Sequence, residues 1–112
     1  MKNKIILLIL AMMLPAVAVA HEQEKTPHLW SWFKKMNKSS AACKIQSEFI
    51  LDKMKAGNIV HNDHGVYAVY KKNRIVVKCL SQDDSSVLWV AVAGMDKDSV
   101  ELLRNKIVGD IK

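Results

Sequence analysis

The order of apolar and polar positions divides the chain into three kinds of segment. The first is an apolar run, Ile5 to Leu14, behind the short basic start Met1-Lys2-Asn3-Lys4; Pro15 interrupts it and Ala18-Val19-Ala20 follows. That layout is the one a secretory signal peptide has. Ile5 to Ala20 is only 16 residues, below the roughly 20 a bilayer-spanning helix needs. Cleavage is therefore expected after Ala20, leaving His21 as the first mature residue. No cysteine stands at that point to receive a lipid.

The second kind of segment has helical spacing. After a polar tail, His21 to Thr26, and Pro27, the positions Leu29, Phe33 and Met36 recur at i, i+4 and i+7, which predicts a short aromatic helix over residues 28–36. Ser39 or Ser40 is placed to cap a second helix over residues 41–56. Its stripe is Cys43, Ser47, Ile50 and Met54, broadened by Phe49 and Leu51, and Gly57 is the expected C-terminal cap. At the other end of the chain, Asp96 or Asp98 precedes a third helical pattern, Val100, Leu103, Ile107 and Ile111.

Between these helices the period falls to two. Ile59-Val60-His61 predicts a short strand, closed by Asn62-Asp63 and Gly65. Val66–Tyr70 and Arg74–Leu80 are rich in β-branched and aromatic residues, with Lys71-Lys72-Asn73 as a hairpin loop. Ser81 to Ser86 reads as a polar loop. Val87 to Ala93 is so uniformly apolar that it predicts a central strand buried on both faces. The expected fold class is α+β, a small two-layer sandwich. It runs helix, three- or four-stranded antiparallel meander, helix, preceded by a cleaved signal peptide. The expected organisation is residues 1–20 as signal, 21–38 as tail and aromatic segment, and 39–112 as the α+β domain.

Composition sharpens this picture in one respect. Of 112 residues 50% are apolar, with 17 Lys+Arg against 11 Asp+Glu, and the first twenty hold 16 of the apolar ones. Without them the formal net charge falls from +6 to +4. The remaining 92 residues make one small domain whose core is marginal without help. The two cysteines supply that help: Cys43 lies on the stripe of the long helix and Cys79 beside Ile75 and Val77 on the inward face of a strand. In an oxidising compartment they are expected to form one structural disulfide. No C-x-x-C occurs to suggest redox chemistry.

No nucleophile elbow, phosphate-binding glycine loop, dinucleotide fingerprint or H-E-x-x-H occurs, and Asp83-Asp84 reads as a solvated turn, so no enzymatic activity and no cofactor are expected. His61-Asn62-Asp63-His64 is the densest set of ligands. With His21, whose ring and free amine would both be available after cleavage, it supports an alternative reading as a periplasmic copper- or zinc-binding protein. Two basic-aromatic stretches are candidate contact surfaces. One is Trp30, Trp32, Lys34 and Lys35, unless that segment packs back on the sheet. The other is Tyr70, Lys71, Lys72 and Arg74, unless its charges only discourage edge pairing. An exported protein rarely meets nucleic acid. The expected role is therefore a periplasmic or secreted, disulfide-stabilised binding module for an envelope or secreted protein, inhibitor- or immunity-like by analogy alone, with an anionic membrane surface as a further partner class.

Overall fold

Seven elements make up the described part of the chain, residues 24–112 of a computed structural model: β1 (His28–Met36), α1 (Ser40–Lys53), β2 (Gly57–Asn62), β3 (Gly65–Tyr70), β4 (Asn73–Gln82), β5 (Ser85–Gly94) and α2 (Lys97–Asp110). The expected signal peptide and His21 lie outside the described residues. The five strands form one antiparallel sheet in the order β1-β5-β4-β3-β2. Both helices cover the same side of it, so the fold is α+β with two layers.

The element order differs from the expected one at its start. Residues 28–36 are a strand, not a helix, and pair with β5 over their whole length, from His28↔Gly94 to Met36↔Ser86. The i, i+4, i+7 spacing of Leu29, Phe33 and Met36 was a coincidence of a segment apolar on both sides. Its Trp and Phe content suits a pleated surface. Because β1 and β2 are the two sheet edges, α1 carries the chain from one edge to the other across the helix side.

Local chemistry explains most of the remaining boundaries. Ser39 caps α1, its Oγ accepting from the Ala42 amide at 3.2 Å, and Asp96 caps α2 by accepting from the Ser99 amide at 3.1 Å. The helix expected to reach residue 56 ends at Lys53, and Lys55, at φ 62°, takes the left-handed position that Gly57 was expected to fill. Lys71 and Lys72, at φ 45° and 66°, make a two-residue turn of the hairpin type, so Asn73 belongs to β4. Residues 81–86 are not a loop: β4 and β5 extend until only Asp83-Asp84 remains between them.

The core lies between the helices and the inward side chains of the sheet. Leu51 of α1 and Val100, Ile107 and Ile111 from the α2 region meet Val66, Ile75, Val77, Leu88, Val90 and Val92, all at most 1% exposed. Ser47 enters this core because its hydroxyl donates to the Cys43 carbonyl at 2.8 Å, which removes the cost of burying it. Phe49, expected to broaden the α1 stripe, is instead 62% exposed. Cys43 and Cys79 form the expected disulfide, Cα atoms 5.9 Å apart, and fasten α1 to β4 near the middle of the sheet. Burial of β5 is complete only on the helix side, although Ala91 on the other side is also buried. Leu88, Val90 and Val92 are fully enclosed, while Val87, Trp89 and Ala93 on the other side keep contact with solvent.

Candidate functional site

The strand geometry sorts the first candidate stretch onto two faces. Trp30, Trp32 and Lys34 pair with Val92, Val90 and Leu88 and therefore share the helix side, while Lys35 pairs with Val87 and points away from it. Trp30 packs against the core. The Arg104 guanidinium of α2 lies 5.2 Å from the centre of the Trp30 ring and 5.8 Å from that of Trp32. Its Nη1 donates to the Ser31 carbonyl at 3.0 Å, and Nε and Nη2 donate to Asn105 Oδ1 at 3.1 and 2.6 Å. Arg104 thus occupies one carbonyl on the outer edge of β1, whose unpaired backbone groups could otherwise receive another strand. Lys34 Nζ donates to the Val108 carbonyl near the end of α2. Burial, then the Lys112 and Lys38 charges, hold its pKa below the ordinary lysine value. Trp30 and Lys34 are thereby engaged within the fold, whereas Trp32 stays 55% exposed, its ring centre 6.2 Å from that of Phe33.

The second stretch divides in the same way. Tyr70 is half-buried on the helix side, with Lys71 Nζ 5.3 Å from its ring centre. It stands between two open clefts, one of about 550 Å³ with Ile50, Met54 and Lys106, the other of about 450 Å³ with Leu102, Leu103 and Lys106. Lys71 and Lys72 are exposed at the hairpin tip, and Arg74 projects from the opposite side of the sheet.

His61 and His64 each make a separate local contact. His61 Nδ1 sits 3.6 Å from Glu48 Oε1 of α1. The His64 amide donates to Asn62 Oδ1 at 2.8 Å, which shapes the β2–β3 turn. Among the described residues no group of three His, Cys, Asp or Glu side chains is placed to hold a metal ion; His21 lies outside them.

A further candidate surface is one that sequence reasoning missed: the sheet face opposite the helices. Strand register arranges it in rows. Leu29, Ala93, Arg74 and Val69 form one, Ser31, Ala91, Val76, Tyr67 and Val60 the next, then Phe33, Trp89 and Lys78, then Lys35, Val87 and Leu80. Leu29 is 71% exposed, Phe33 65%, Val60 55% and Leu80 54%. Lys78 Nζ lies 5.9 Å from the Trp89 ring centre, so a cation crosses the middle of the apolar field. The charged side chains in these rows are Lys35, Arg74 and Lys78; no carboxylate occurs among them. No local pattern in the sequence signals this face; only the number of elements does. Two helices suffice to cover one side of a sheet, and nothing remained in the sequence from residue 39 onward to cover the other.

The face is not flat. Ala91 and Ser31 lower its middle. Where β2 slips register between Gly57 and Val60, a shallow cavity of about 300 Å³ opens, lined by Val60, Tyr67, Val69, Arg74 and Val76. Such an arrangement can bind. In comparisons with known proteins, no family model, no curated protein and no solved structure matches the chain.

Proposed function

We propose that the chain is an exported, non-enzymatic binding module that recognises an envelope or secreted protein through the open face of its sheet. The observation that carries this reading is the exposure of Leu29, Phe33, Val60 and Leu80, one from each row of the face that Trp89 and Tyr67 share, where the charged side chains are all positive. Exposed apolar side chains gathered on one uncovered sheet face mark an interaction site, and aromatic residues and Arg are enriched at protein interfaces. Export is supported by the residue 1–20 pattern and by a disulfide of the kind that persists outside the cytoplasm. N-terminal sequencing of protein recovered from its source cells should begin at His21; material starting at Met1 would overturn the export reading.

The binding reading is tested by placing a photo-crosslinking residue at Phe33, on the open face, and separately at Phe49, exposed on the outer side of α1. Irradiation in the source cell envelope should give a discrete protein adduct from position 33 and none from 49. The adduct should disappear in Lys78→Glu, whose melting temperature should stay within a few degrees of the wild type. Equal adducts from both positions, or none, would refute it.

A further inference from the structure

We infer that the cavity beside the β2 bulge is an anchor pocket for a partner segment in which a large apolar side chain is flanked by carboxylates. This inference rests on the open-face reading and names the chemistry of the partner. Val60, Val69 and Val76 supply apolar walls and Tyr67 an aromatic one, while Arg74 lines the same recess. At about 300 Å³, the recess is at the lower end of small-ligand pockets. That size fits one side chain and excludes a large cofactor.

Arg74 decides the sign of what lies next to that side chain. The residues opposite and beside it, Ala93 and Val69, carry no charge, and Lys78 and Lys35 repeat its sign farther along the face. A planar guanidinium on the wall of an apolar recess favours a carboxylate held against it, with paired N–H donors. The other occupants fit less well. A second copy docked face to face would oppose its own Lys35, Arg74 and Lys78 with like charges, a destabilising arrangement. A bilayer is entered by protruding apolar side chains with cations at their rim. Here the centre is lowered at buried Ala91 and Lys78 stands inside the field. An acidic protein segment matches both the recess and the charge.

The test uses the oxidised protein, isotope-labelled, and two blocked tripeptides, acetyl-Glu-Phe-Glu-amide and its neutral isostere acetyl-Gln-Phe-Gln-amide. The acidic peptide should move the backbone amide signals of Tyr67, Val69, Arg74 and Val76, with a dissociation constant on the order of 1 mM, as expected of so small a ligand. The neutral peptide should bind about tenfold more weakly, the difference a charge-assisted pair makes. In Arg74→Gln the two peptides should bind alike. Equal binding of both to the wild type, shifts centred on the Tyr70 clefts, or no shifts would each overturn the inference. So would binding to vesicles of phosphatidylglycerol and phosphatidylcholine that Phe33→Glu abolishes and Arg74→Gln does not, since that assigns the face to a membrane. If crosslinking from position 33 persists while the tripeptides leave these amides unmoved, the anchor pocket falls and the open-face reading stands.

Discussion

Opening the Cys43–Cys79 bridge should remove most of the stability of this domain. The two cysteines are 36 positions apart in sequence. Closing a loop of that length lowers the entropy of the unfolded chain enough to stabilise the native state by about 3.8 kcal/mol at 25 °C, on the chain-entropy account. A domain of this size has a typical margin near 5 kcal/mol. Reduction would then leave about 1 kcal/mol, with roughly one molecule in ten unfolded at equilibrium. The assay is urea unfolding followed by tryptophan fluorescence, with and without a phosphine reductant. With a slope near 1 kcal/mol per molar urea, the midpoint should fall by about 4 M on reduction. The variant Cys43→Ala/Cys79→Ala should fall further, by about 1 kcal/mol, because Cys43 is fully enclosed and its sulfur fills space between α1 and the sheet. Oxidised and reduced midpoints within about 0.5 M of each other would refute the reasoning. The helix-to-sheet junction would then be held by packing alone.

Three further outcomes follow from individual contacts. Gly94→Ala should cost about 3 kcal/mol, because the added methyl would collide with Asn73 Oδ1 and press on Val100 Cγ2 at 3.1 Å. Asn73 is buried, and its amide donates to Ser99 Oγ at 3.0 Å; an unchanged urea midpoint would contradict this. Arg104→Ala should lose about 1–2 kcal/mol from the two ring contacts and the Ser31 carbonyl bond. It should also self-associate in sedimentation velocity through the uncovered β1 edge, and a monomer at high concentration would show that Arg104 does not guard it. For Lys34, burial and the Lys112 and Lys38 charges depress the folded-state pKa below the ordinary 10.5, so in the window just under that value the unfolded chain binds more protons. Stability relative to Lys34→Gln should therefore rise as pH climbs through the window and stay level below it. A falling difference would reverse the sign of the argument.

How far the sequence is legible depends on whether a feature is local. The caps at Ser39 and Asp96, the period change near residue 57, the stripe through Cys43, Ser47 and Ile50, and the inward alternation of Ile75, Val77 and Cys79 all express preferences within a few residues of each other. The sequence read alone therefore yields the helices, the β2–β5 meander and the disulfide pairing. It yields nothing comparable for β1. Residues 28–36 are apolar on both sides, and a strand and a helix of nine residues both find a stripe there. Only the edge of β5, fifty or more positions away, selects the extended form. The contact surface was out of reach for the same reason. Phe33, Trp89, Lys78 and Tyr67 come from four separate strands, and an apolar run such as Val87–Ala93 looks the same whether its second side faces a helix or water. Which side stays open is decided by both helices packing on one layer, a consequence of chain topology that no local preference encodes.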